Sequence, residues 1–150
     1  MRPALLLAVA IASPAAAAPR DGTTVLMPTD QRMLGVFSEW GFSEAVVRGD
    51  MIYLSGVVAG LRPGETDATL AYDRAFKTIA SILERRGSSW DDVLDITTYH
   101  VDVAKDFPAF RQVKDWYVKA PFPTWTAIDI DRLVPEGGLV EIKVTAQKKR

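Results

Sequence analysis

The sequence predicts an α+β domain in which helices cover one face of a mixed β-sheet. Its strand and helix patterns follow the order strands, helix, strand, helix, strands, without the regular alternation of a βαβ fold. Residues 139–146 alternate strictly, with Val140 and Ile142 on one face and Glu141 and Lys143 on the other. This period of two is typical of a strand with one buried face.

The first half of the predicted domain is a hairpin followed by a helix. Residues 45–47 and 52–54 are rich in strand formers and flank Gly49 and Asp50, which favour a tight turn. Residues 60–67 carry proline and glycine and predict a loop. A helix then begins at Asp67 or Thr69. Its apolar residues recur at helical spacing: Tyr72, Phe76, Ile79 and Leu83.

The second half alternates strand and helix before two closing strands. Residues 93–103 predict a strand, and Asp106 is the expected N-cap of the next helix. The expected buried stripe of this helix comprises Phe107, Phe110, Val113 and Tyr117. Residues 124–130 predict a strand that precedes the alternating one.

The N-terminal residues resemble a secretory signal. Residues 1–17 combine Arg2, an apolar run and small residues, with cleavage expected after Ala17. The rival interpretation is a membrane anchor, but the apolar run is shorter than the ~20 residues needed to span a bilayer. We therefore expect a periplasmic or secreted protein without stable membrane association. Residues 18–41 form an arm or an edge strand over 24–27, and 42–150 form the domain.

Composition excludes several classes of function. The chain has 18 Lys+Arg against 19 Asp+Glu, which is not the basic footprint of a nucleic-acid binder. It has no cysteine, so disulfide and cysteine-ligated zinc sites are excluded. His100 is the single histidine, and we expect it to be a hydrogen-bonded structural residue in its strand. No metal site is predicted.

Four segments in the right order resemble the Rid (reactive intermediate deaminase) family of the RidA/YjgF type. The first is the hairpin with its Ser-Gly turn, and the last is a Pro-Thr-Trp-Thr motif followed by the alternating strand. The segments are residues 42–56, 89–99, 107–110 and 123–142. The resemblance implies a chorismate-mutase-like fold with two helices packed on one face of the sheet. It also implies a homotrimer with ligand clefts between subunits.

The resemblance also implies a set of site residues and a reaction that needs no cofactor. In the family's deaminases, an arginine pairs with the substrate carboxylate while a glutamate holds the water that attacks an imine. Here the arginine position holds Trp125, and Glu141 matches the glutamate. Ser55 and Gly56 match the pocket turn. Phe42 stands where a tyrosine is common at the pocket edge, and Thr126 follows Trp125 in the motif.

Trp125 is the departure that decides what we expect of the function. Indole is uncharged and has only one N–H donor, so it cannot replace a guanidinium that makes two hydrogen bonds to a carboxylate. We therefore expect an exported protein that binds a small organic molecule, with any imine or enamine hydrolysis altered in substrate range. A genuine 2-iminobutanoate/2-iminopropanoate-type deaminase and a non-catalytic trimeric interaction protein remain alternatives. We also expect Trp125 and Ala127 on the exposed face of the sheet, against a neighbouring subunit.

Overall fold

The computed structural model describes residues 22–149, so the predicted signal segment and the first residues of the arm lie outside the described chain. Within that range the chain forms seven strands and three α-helices. The strands are β1 (Thr23–Leu26), β2 (Ala45–Arg48), β3 (Met51–Leu54), β4 (Val57–Gly60), β5 (Val93–His100), β6 (Thr124–Asp129) and β7 (Gly138–Gln147). The helices are α1 (Gln31–Trp40), α2 (Ala68–Glu84) and α3 (Val103–Tyr117).

All seven strands join one mixed sheet, as the predicted fold class requires. The strand order is β1-β2-β3-β7-β5-β6, and β4 also pairs with β7. β7 is therefore central: it pairs antiparallel with β3 near its end, with β4 near its start and with β5 along its other edge. β5 and β6 form the parallel pair.

The hydrophobic core lies between this sheet and the two longer helices. On β7, Val140, Ile142 and Val144 are buried while Glu141 and Lys143 alternate with them, as the sequence predicts. The predicted stripe of α2 is buried, and α3 buries Phe110 and Val113 in the same core. Packing of α2 and α3 on one face of the sheet is thereby confirmed.

The region before the hairpin contains a helix that the sequence did not reveal. β1 is the edge strand, which confirms one of the two alternatives for this region. Asp30 caps α1 by accepting a hydrogen bond from the Met33 amide, and Gly41 ends it in the left-handed conformation. The helix has no buried residue and carries Gly35 in its interior. Its apolar residues recur at helical spacing from Met33 to Trp40, but none is buried and Gly35 weakens the helical signal.

The start of α3 differs from the prediction. Its N-cap is Asp102, whose carboxylate accepts a hydrogen bond from the Lys105 amide, and β5 ends at His100. Asp106 lies inside the helix instead, where it is 5% exposed and accepts a hydrogen bond from the Tyr72 hydroxyl at 3.0 Å. Asp102 and Asp106 lie one helical turn apart and both precede the apolar stripe, so the sequence alone cannot separate a cap from a buried acceptor.

His100 is a buried structural residue, as expected. It is fully buried, with its Nε2 3.0 Å from the Thr98 hydroxyl and its ring edge-on to Phe110. Its Nδ1 has no hydrogen-bond partner among the described residues. Burial lowers the pKa of His100, and the nearby charges of Asp106 and Asp129 oppose that shift.

Two properties of residues 22–149 bear on function. No helix in this range is both long enough and apolar enough to cross a membrane. The same range holds no cluster of three or more histidine, cysteine, aspartate or glutamate side chains that could bind a metal ion.

We predict that His100 makes the protein less stable as the pH falls. Because the pKa of His100 lies below 6.5 in the folded state, the unfolded chain binds a proton that the folded chain does not. This contribution to stability is fully present above pH 6.5 and is lost progressively below it. Urea unfolding of the native protein and of His100→Gln, at about pH 7.5 and about pH 5.5, measures it. An equal decline in both proteins would contradict the prediction.

Candidate functional site

Strand β7 presents Glu141 on the helix-free face of the sheet. Because side chains alternate along a strand, burial of Val140 and Ile142 against the helices forces Glu141 to the opposite side. Its cross-strand neighbours are Val58 on β4 and Tyr99 on β5. Its side chain is only partly buried, and no hydrogen bond or ion pair to its carboxylate is formed within residues 22–149. A carboxylate left free in this way can accept hydrogen bonds from water or a ligand.

Gly56 allows the Glu141 carboxylate to approach the backbone. A β-carbon built at Gly56 would lie 1.7 Å from Glu141 Oε1 and 2.5 Å from its carboxyl carbon. No other residue type therefore fits at this position while the carboxylate stays where it is. The structure thus brings together Glu141 and Gly56, which lie far apart in the sequence.

Ser55 and Phe42 lie beside Gly56 in the wall of one cavity of about 690 Å³. The Ser55 hydroxyl donates a hydrogen bond to the Ser43 carbonyl at 2.6 Å, and its amide donates to the Glu44 carbonyl at 3.0 Å. These bonds fix the turn between β3 and β4. Phe42 is 37% exposed and packs its ring against Phe37, with ring centroids 4.1 Å apart. Three predicted site residues therefore share this cavity; Glu141 contacts Gly56 but is not itself a lining residue.

Helix α1 forms a wall of this cavity that sequence reasoning missed. The lining residues contributed by its N-cap and the helix itself are Asp30, Met33, Val36, Phe37 and Trp40. The remaining lining includes the apolar residues Val57, Val58 and Ile82 and the charged residues Glu44 and Arg62. The run of apolar residues between Asp30 and Gly41 was the available signal. A mostly apolar cavity of this size with a few polar groups is typical of small-molecule sites.

The prediction that Trp125 lies on the exposed face of the sheet was wrong. Trp125 pairs in register with Ile96 and points toward α3, where its ring stacks on Phe107 at 5.4 Å with an interplanar angle of 3°. The Lys114 ammonium lies over the ring, 5.0 Å from its centroid. Trp125 and Glu141 therefore lie on opposite faces of the sheet and cannot contact one small molecule within a single chain.

The indole N–H of Trp125 is already committed to a buried network. It donates a hydrogen bond to the Thr98 hydroxyl at 3.0 Å, and the same hydroxyl lies 3.0 Å from Nε2 of His100. Thr98 and His100 are both fully buried. This bond orients the indole inward, so its single donor is not available to a ligand.

Thr126, the remaining predicted site residue, points the other way. It pairs with Thr97, which in turn pairs with Lys143 on β7. Thr126 is therefore on the same face as Glu141, two strands away, or about 10 Å across the sheet. The structure places it outside the cavity that Phe42, Ser55 and Gly56 line.

We predict that Gly56→Ala will displace the Glu141 carboxylate. Because the clash is with the end of a flexible side chain, the stability cost should be about 1 kcal/mol, the low end for overpacking. Chemical denaturation measures the cost, and a crystal structure of the variant locates the carboxylate. In a Glu141→Ala background the same substitution should cost less. Equal costs in the two backgrounds would show that the Gly56–Glu141 contact is not the cause.

Comparisons of sequence relate this chain to known proteins. The family model described as endoribonuclease L-PSP matches residues 36–148. The RutC family protein YjgH of Escherichia coli (strain K12) is 32% identical over 127 residues, which cover 83% of this chain and 94% of that protein. A 2-iminobutanoate/2-iminopropanoate deaminase of Dermatophagoides farinae is 28% identical over 106 residues, covering 68% and 81% respectively.

Solved structures show the same fold. The structure of Protein YJGH superposes with a TM-score of 0.72 at 30% identity, covering 86% of this chain and 98% of that one. The Rv2704 structure from Mycobacterium tuberculosis, of the YjgF/YER057c/UK114 family, has a TM-score of 0.71 at 21% identity. It covers 83% of this chain and 98% of that one, and at this identity the likeness shows the fold alone. With the matched family model and the YjgH relative, the chain belongs to the RidA/YjgF family.

Proposed function

We propose that this protein binds a small, largely apolar organic molecule in the cavity beside Ser55 and Gly56 and hydrolyses an imine or enamine there. The observation that carries the proposal is the free carboxylate of Glu141, which packs on Gly56, a residue that lines the cavity. Ser55 and Phe42 line the same wall, which gives the cavity a polar turn and an aromatic edge.

The chemistry requires a group that holds and activates water. A carboxylate accepts a hydrogen bond from a water molecule and can take up its proton as the oxygen attacks the imine carbon. Attack on the protonated imine opens the C=N bond and forms a carbinolamine. The carboxylic acid then returns its proton to nitrogen, and the resulting carboxylate takes the hydroxyl proton as ammonia leaves and the carbonyl forms. The net reaction consumes one water and one imine and needs no oxidant, reductant or metal.

The choice of reaction class draws support from the relatives. The Dermatophagoides farinae protein carries the name 2-iminobutanoate/2-iminopropanoate deaminase. Here the position of its family's substrate-binding arginine, as the resemblance assigns it, holds Trp125, whose indole N–H is bonded to Thr98. We therefore propose a substrate range shifted away from 2-imino acids and toward uncharged imines.

We propose that the active form is a homotrimer in which neighbouring subunits complete the clefts. The helix-free face of the sheet exposes Tyr53 (48%) and Ile128 (40%). Burial of such apolar side chains in a closed symmetric assembly would be favourable. Light scattering should give a mass about three times that of the chain, whereas a monomer at working concentration would contradict this part of the proposal.

Two coupled assays test the reaction. An amine oxidase acting on benzylamine supplies an uncharged imine, and an amino-acid oxidase supplies 2-iminobutanoate. We expect the protein to accelerate release of ammonia from the uncharged imine more than from 2-iminobutanoate. Glu141→Gln should lower the rate on the uncharged imine by about a hundredfold, the usual scale of general acid–base catalysis.

A matched control is Glu136→Gln, which makes the same chemical change at an exposed position before β7. Its rate should equal that of the native protein. Unchanged hydrolysis by Glu141→Gln would overturn the assignment of the carboxylate. Faster hydrolysis of 2-iminobutanoate than of the uncharged imine would overturn the proposed substrate range.

We also propose export through the N-terminal segment. The support is the sequence pattern of residues 1–17, which lie outside the described chain. Expression of the full chain in a Gram-negative host should yield periplasmic protein whose N-terminal residue is Ala18. Uncleaved protein confined to the cytoplasm would exclude this.

A further inference from the structure

A second cavity lies on the helix-covered side of the sheet, where α3 packs on β6. It measures about 300 Å³, at the lower end of the range for small-molecule pockets. Trp125 and Phe122 provide aromatic surface, while Arg111, Lys114 and Asp115 bring charges to it. Phe122 is 72% exposed, so the cavity reaches the protein surface.

Lys114 is the unusual member of this lining. It is 7% exposed, although a lysine is rarely buried without a reason. Its ammonium lies over the Trp125 ring and donates one hydrogen bond, 2.6 Å long, to Asp115 Oδ1. An ammonium has three N–H donors, and within residues 22–149 the Lys114 ammonium donates no other hydrogen bond.

The charges around the cavity sum to a positive value. Arg111 lies one turn before Lys114 on α3 and contacts Asp115 only at 3.7 Å, with its side chain 66% exposed. Two cations thus face one carboxylate. Asp115 also occupies the last turn of α3, where the helix dipole disfavours a negative charge. Its position is explained by partial neutralisation of the two cations.

We propose that this cavity is a binding site for a small carboxylate with a flat apolar body. The carboxylate would accept hydrogen bonds from Lys114 and Arg111, and the apolar body would pack on Trp125 and Phe122. Trp125 acts as a wall of the site, because the bond to Thr98 and the stack on Phe107 hold its ring in place. The ligand displaces part of the Lys114–Asp115 interaction.

This site is separate from the proposed function. All of its lining residues lie in one chain, and Glu141 is on the other face of the sheet. Failure of the imine-hydrolysis proposal would leave the carboxylate site unaffected, and the reverse also holds.

Benzoate is the probe, and benzamide is its uncharged isostere. The Trp125 indole N–H signal in a ¹H–¹⁵N spectrum reports binding, and it is assigned by its loss in Trp125→Phe. Only four tryptophans contribute indole signals. We expect benzoate to shift this signal in a saturable manner, with an affinity at least about tenfold higher than that of benzamide.

Three variants test the residues. Lys114→Met should weaken benzoate binding about tenfold or more, since it removes a charged donor. Asp115→Asn should strengthen binding about two- to fivefold, because it removes the competing carboxylate. Lys105→Met removes the same charge from an exposed position on α3 and should leave the affinity unchanged.

The opposite signs expected for Lys114→Met and Asp115→Asn separate a binding role from a structural one. If Lys114→Met does not fold, Asp115→Asn and the benzoate–benzamide comparison in the native protein still decide the matter. The absence of a saturable shift of the Trp125 indole signal would overturn the proposal. So would equal affinity for benzamide, or weaker benzoate binding by Asp115→Asn.

Discussion

The alternation of side chains along β7 is the constraint on which the rest of this structure depends. The strand is ten residues long and pairs with three other strands, so its register fixes the sheet. Its valines and isoleucine enter the core beneath α2 and α3, and this burial sends Glu141 to the opposite face. A slip by one residue would bury the carboxylate and expose the core residues. The free energy of core burial therefore also positions the candidate catalytic group.

The close approach of Gly56 and Glu141 brings the carboxylate next to the turn between β3 and β4. β3 and β4 pair with different stretches of β7, and the turn between them holds Ser55 and Gly56. Hydrogen bonds from Ser55 to the preceding segment fix the turn. Absence of a side chain at Gly56 leaves room for the carboxylate. Helix α1 then supplies an apolar wall without entering the core.

Trp125 is part of the packing between β6 and α3. Its ring fills the space between Phe107 and Lys114, and its N–H joins Thr98 and His100. Removal of this hydrogen bond would leave Thr98 short of a donor. The same contacts place a buried ammonium at a cavity on that side of the sheet. The molecule thus carries two chemically different cavities, one between α1, α2 and the turn before β4, and one between α3 and β6 that is aromatic with excess positive charge.

The sequence by itself determined the class of fold, the faces of β7 and the composition limits, because these depend on local periodicity and residue type. It also grouped Phe42, Ser55 and Gly56 in one predicted pocket, through the resemblance of residues 42–56 to the family's opening hairpin. Tertiary structure alone decided which way Trp125 points, since β6 is exposed along most of its length and its pattern carries no clear period. Asp106 and α1 were decided in the same way. Asp106 is a buried partner of Tyr72 and not a cap, because a long-range hydrogen bond fixes its role. Asp30 and Gly41 cap α1 locally, and only the tertiary structure places that helix at the cavity.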